Sequence, residues 1–175
     1  ALATIVVFGC TGFILLVVWL RDRLRGTHIP SRERRSAFSR SFATASLRQL
    51  DIFAGDLSWF ENDLQTYIDL VKRGVVVRVL TDTPTATAVA TGKGHKILFC
   101  QYPDGIASPI RGAVSDANEE AAGRAFIVKR ISRRLGSPDR PYDYWVQTYS
   151  AKDDLATVQL MRTLFNELYT RGVPL

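Results

Sequence analysis

The first twenty residues, ALATIVVFGCTGFILLVVWL, carry no charged side chain, and only Thr4, Gly9, Thr11 and Gly12 relieve the apolar run. At about 1.5 Å per residue they span about 30 Å, the hydrocarbon thickness of a bilayer. Lipid leaves backbone groups no partner but each other, so a single transmembrane helix is predicted over 1–20. Trp19 suits the headgroup interface, and Arg21, Arg23 and Arg25 follow it directly. These four are the predicted membrane-interface residues. The positive flank predicts a single-pass topology in the cell (inner) membrane with the C-terminal domain in the cytoplasm. A secretory signal peptide would carry its charge before the apolar run and a small-residue cleavage site after it. A buried core helix is the other alternative. Residues 21–48 are rich in Arg and Ser, broken by Gly26 and Pro30, and predict a basic juxtamembrane linker that is either drawn to anionic headgroups or simply solvated.

From residue 49 the pattern becomes that of a folded domain. Leu50–Gly55 is a short apolar run that suits a buried strand. Trp59, Phe60, Leu64, Tyr67, Ile68 and Val71 fall at helical spacing, which predicts a helix over about 58–73. Ser58 and Glu61 are spaced as a capping box, with Asp56 as the alternative cap, and Gly74 suits the C-terminal end. VVVRVL at 75–80 is a β-branched run of the kind buried on both faces of a parallel sheet. Strand, helix, glycine and strand within about 30 residues make a β-α-β unit. Residues 81–94 predict a loop with one short helix after Pro84, and 95–102 contain a strand. Residues 103–120 are polar, with Pro, Gly and Asp, and predict an excursion. RAFIVKRI and YDYWVQTY predict two strands, and 153–171 a closing helix. The prediction is one α/β sandwich-like domain over 49–175.

Composition sharpens this picture. The chain has 23 Lys and Arg against 17 Asp and Glu, a formal charge of +6. Eight arginines against Asp22 and Glu33 in 21–48 account for all of that excess, and the rest of the chain is balanced. A nucleic-acid reader carries its positive patch on the folded part, so no nucleic-acid partner is expected. Two cysteines, at 10 and 100, and two histidines, at 28 and 95, exclude a disulfide framework and the usual zinc sites. No cofactor or metal motif is present. Gly92-Lys93-Gly94 lacks the spacing of a phosphate loop, and no G-x-G-x-x-G follows the first strand. Cys100 lacks a sequence-evident base and reads as a small buried hydrophobe. Asp116, Glu119 and Glu120 read as a solvated acidic face. Tyr142, Tyr144 and Trp145 read as a half-buried strand rather than a base-stacking platform.

The stretch DIFAGDLSWFENDLQTYIDLVKRGVVVRVLTD resembles the opening β-α-β of the phospholipase D-like superfamily, and ATVQLMRTLFNELYTRG resembles the helix that closes a repeat of that fold. The resemblance covers residues 50–171 and implies the fold. The family's catalytic signature is H-x-K-x-x-x-x-D, with His as nucleophile and Lys on phosphate oxygens. With Arg111 in the His place, Ala113 and Asn118 stand where Lys and Asp should be. With His95 there, Ile97 and Tyr102 do. The resemblance therefore implies a single, catalytically degenerate repeat and argues against activity, since covalent phosphoryl transfer has no nucleophile. It also implies an exposed face for a second copy or another subunit. The expected function is a non-catalytic accessory subunit at the bilayer, docking onto a larger membrane protein complex. A ligand or nucleotide sensor and a divergent hydrolase are the alternatives.

Overall fold

A computed structural model of the chain describes residues 26–57, 60–103, 110–119, 121–132 and 142–175. The predicted membrane helix over 1–20 lies outside the described residues. None of the described helices is long and apolar enough to cross a membrane.

An eight-stranded mixed sheet carries the fold: β1 (Gly26–Ile29), β2 (Gln49–Phe53), β3 (Val76–Thr81), β4 (Leu98–Gln101), β5 (Gly112–Ser115), β6 (Arg124–Ser132), β7 (Tyr142–Ser150) and the two-residue β8 (Val173–Pro174), in the order β1-β7-β6-β5-β2-β3-β4-β8. β2, β3 and β4 run parallel, and the other pairings are antiparallel. The helices are α1 (Arg32–Thr44), α2 (Phe60–Lys72), α3 (Ala86–Gly94) and α4 (Ala151–Arg171). One core joins α1, α2 and α3 to one face of the sheet through Phe42, Phe60, Tyr67, Leu70, Ala88 and strand residues such as Ile52 and Val79. The other joins α4 to the opposite face through Val158, Met161, Phe165 and Leu168 against Phe53, Leu80 and Val114. Successive side chains point to opposite faces, and because helices cover both, the central strands β2 and β5 are buried on both sides.

The predicted β-α-β unit is β2-α2-β3, in parallel register from Gln49↔Val76 to Phe53↔Leu80. Gly74 ends α2 at φ +86, the left-handed conformation that glycine adopts at least cost. α4 begins at Ala151, two residues before the predicted start. Ser150 caps it and Asp154 caps it again after a kink, accepting from the Thr157 N–H at 3.1 Å. Leu160 on this helix is 67% exposed.

Two segments depart from their prediction. Part of the expected linker 21–48 is β1 and α1. Ser31 follows Pro30 and caps α1, and Phe38 and Phe42 meet Phe126 edge-on at 5.1 and 4.7 Å. The expected polar excursion 103–120 contains β5, fully buried between β2 and β6. Its small residues are what allow the burial. A Cβ on Gly112 would collide with the Phe126 carbonyl, so only glycine permits β6 to approach this closely.

Buried carboxylates pin the junctions. Asp63 of α2 accepts from the Ser36 hydroxyl and from Arg40 Nη1, both at 2.7 Å, which fixes α1 over the sheet. Asp51 of β2 takes both prongs of the Arg78 guanidinium, at 2.7 and 2.9 Å, and Arg78 continues to Asn166 of α4. Asp116 was expected on a solvated face and is instead buried. It accepts from the backbone N–H groups of Leu47, Arg48 and Gln49 and from the Ser115 hydroxyl. Burial pushes its carboxyl up, but the three N–H groups and the hydroxyl outweigh that and hold it below the ordinary aspartate range. Of its acidic neighbours, Glu119 pairs with Arg48 at 3.0 Å, and Glu120 lies outside the described residues.

Two stability measurements check these pins. Asp63→Ala removes the acceptor of the Ser36 hydroxyl and of the half-exposed Arg40 guanidinium and should lower the unfolding free energy by about 1–2 kcal/mol in urea titration. Asp116 has a lowered folded-state pKa, so its stabilisation is complete above about pH 4 and fades as pH falls through the folded value. Asp116→Asn should therefore cost about 2 kcal/mol at pH 7, and the gap from the parent protein should close below pH 4. A gap independent of pH would contradict this account.

Candidate functional site

At the C-terminal end of β2 the backbone leaves the sheet through Ala54, Gly55 and Asp56. The Ala54 N–H donates to the Leu80 carbonyl at 2.8 Å. The Gly55 carbonyl accepts from the Asp82 and Thr83 N–H groups and from the Thr81 hydroxyl, at 2.9, 3.1 and 2.8 Å. This corner is rigid, and it sits at the strand ends, where open α/β sheets place ligands. Arg111, just before β5, lies against it. A Cβ on Gly55 would collide with the Arg111 guanidinium, so the missing side chain at 55 is what makes room for the cation. Among the described residues nothing accepts a hydrogen bond from that guanidinium.

Arg111 opens onto a cavity of about 200 Å³ between α1 and the sheet. Its floor is one face of four strands, including Ile52, Ala113, Phe126, Val128 and Tyr144, and the registers Ile52↔Ala113, Ala113↔Phe126 and Val128↔Val146 bring that face into line. Its roof is a single stripe of α1, with Arg35, Ser36, Ser39, Phe42 and Ala43 at helical spacing. The Arg35 guanidinium stands 4.6 Å over the Tyr144 ring. Tyr67 of α2 closes the back. Burial above all, with the neighbouring Asp63 carboxylate adding to it and Arg40 opposing, holds its phenol far above the usual value, so it stays protonated.

The arrangement suits binding and orienting an anion, and no histidine or cysteine is among the described lining residues. His28 is on the edge strand β1, 2.9 Å from Asp143, and His95 ends α3. Cys100 lies on the α4 face, its thiol pushed up by burial and directed at the Tyr169 carbonyl at 3.4 Å. Gly92, Lys93 and Gly94 form the C-terminal end of α3, which presents carbonyls and not the N–H groups a phosphate needs. Tyr144 and Trp145 are on β7, the first facing the cavity and the second packed over Gly26. The predicted interface residues Trp19, Arg21, Arg23 and Arg25 lie outside the described residues, as does the turn 133–141.

Sequence reasoning weighed Arg111 only as a histidine substitute. Placed instead at the Lys position of H-x-K-x-x-x-x-D, Arg111 brings Asp116 onto the Asp position and Pro109 onto the His position. Two of three places then hold a residue of the right charge. The aspartate five residues after Arg111 was the available signal. The α1 residues had no such signal, having been read as linker.

No protein-family model and no curated protein matches the chain. Similar solved structures include polyphosphate kinase from Porphyromonas gingivalis (TM-score 0.61, 13% identity, 84% of this chain and 26% of that one). NucT from Helicobacter pylori aligns at TM-score 0.60 with 13% identity, over 86% of this chain and 97% of that one. The archaeal chromatin protein TrmBL2, described as showing a novel mode of DNA binding, aligns at TM-score 0.58 with 13% identity, over 97% of this chain and 64% of that one. The chain thus spans under two thirds of TrmBL2 and about a quarter of the kinase. NucT and the kinase have phospholipase D-like folds, and the mixed α/β domain described above is of that fold.

Proposed function

We propose that this chain is a non-catalytic, membrane-tethered accessory protein, a single degenerate phospholipase D-like repeat that holds a small anionic ligand beneath α1. One observation carries the reading. Arg111 lines the cavity with no acceptor among the described residues, in the frame where the signature has its lysine, while proline stands where the signature has its histidine. A cation kept without a nucleophile suits retention of an anion rather than its turnover. The apolar residues 1–20 and the arginines after them support the tether, with a larger membrane protein complex or a second copy as the docking partner.

The test uses the full chain in detergent. A panel of inorganic phosphate, acetate and aryl carboxylates is titrated at constant ionic strength against melting temperature. An anion at on the order of 100 times its Kd should raise the midpoint by about 5–10 °C. Arg111→Gln should abolish the rise. A phosphodiesterase assay on a chromogenic diester should give no turnover. A panel without any stabilising anion, or a rise that persists in Arg111→Gln, would refute the ligand reading. Turnover would refute the non-catalytic one.

A further inference from the structure

Resting on the anion-binding reading, we infer that the cavity under α1 selects a monocarboxylate with an apolar, ring-sized body and discriminates against phosphate esters. The first argument is charge. The charged residues among the described lining are Arg35, Arg111 and Asp56, which leaves one net positive charge. The nearby Asp63 is matched by Arg40 at 2.7 Å. A phosphomonoester carries about −1.5 to −2 at pH 7 and would leave negative charge uncompensated beside Asp56. A carboxylate carries one charge and matches the rim.

The second argument is shape. A guanidinium presents two parallel N–H donors that fit the two oxygens of a carboxylate. The missing side chain at Gly55 makes room for the Arg111 guanidinium, which lines the cavity. Beyond it the floor is apolar or aromatic, with Ile52, Phe126, Val128 and Tyr144, and the roof sets Phe42 beside Ser36, Ser39 and the Arg35 guanidinium that covers Tyr144. Arg111 precedes β5 and Tyr144 is on β7, with only β6 between them, so the charged and aromatic ends lie two strand spacings apart, about 10 Å. The volume of about 200 Å³ is of the order of the apolar cavity of about 150 Å³ that takes up benzene, enough for one ring. It admits a carboxylate at Arg111 and one ring or branched chain against Phe126 and Tyr144.

The probes are phenylacetate, acetate, inorganic phosphate and benzyl alcohol, titrated calorimetrically into the full chain in detergent. Phenylacetate should bind at least tenfold more tightly than each of the other three. Arg111→Gln should cost phenylacetate tenfold or more. Gly55→Ala should do the same, because its methyl displaces the guanidinium while the apolar floor stays intact, and it covers the case in which Arg111→Gln misfolds. Phosphate binding as tightly as phenylacetate overturns this inference and leaves the anion site standing. Benzyl alcohol matching phenylacetate, with both variants silent, overturns carboxylate recognition. No binding by either phosphate or phenylacetate removes the anion site and this inference together.

Discussion

The Asp63 carboxylate is the contact on which the rest of the site depends. α1 has a weak apolar face, two phenylalanines among arginines and serines, and its packing alone would hold it loosely. Asp63 is buried in α2 and takes one hydrogen bond from Ser36 and another from Arg40, one helical turn apart on α1. Two charge-assisted bonds from one helix to one carboxylate fix both its position and its rotation. That rotation decides which α1 residues face the sheet. Without it Arg35, Ser39 and Phe42 would not form a common roof, and the strand face below would be an open apolar groove.

The other buried acids divide the labour by location. Asp116 gathers three consecutive N–H groups of the segment that enters β2, tying that entry to the exit of β5. Asp51 and Arg78 tie the parallel strands to α4. Each carboxylate has its hydrogen bonds filled, which is the condition for burying charge at all. None of the three lines the cavity. The negative charge of the core is therefore consumed in fixing elements, and the positive charge of Arg111 is left to the cavity.

Periodic elements were legible in the sequence. The β2-α2-β3 unit is apolar at the right intervals and ends in a glycine that must take positive φ. β6, β7 and the body of α4 repeat apolar positions clearly enough to place. What escaped was built from small or charged residues. β5 reads GAVS, and its burial follows from Gly112 meeting the Phe126 carbonyl, a tertiary fact absent from a local window. α1 reads RERRSAFSRSFAT, whose polarity hides a helix because Ser36 and Arg40 are held by a carboxylate about 25 residues later. Asp116 looked solvated because its partners are backbone N–H groups, which leave no trace in side-chain pattern.

The cavity itself was half legible for the same reason. Arg111 stood out because a family signature offered a frame, but the residues that turn a cation into a site come from α1, Gly55 and β7. Gly55 contributes by what it lacks, and Tyr144 by facing the same side of the sheet as Arg111 two strands away. These are consequences of register, and register is fixed by the packing of the whole sheet. The α1 roof that Asp63 holds in place turns the strand ends beside Arg111 into a roofed recess rather than an exposed sheet face.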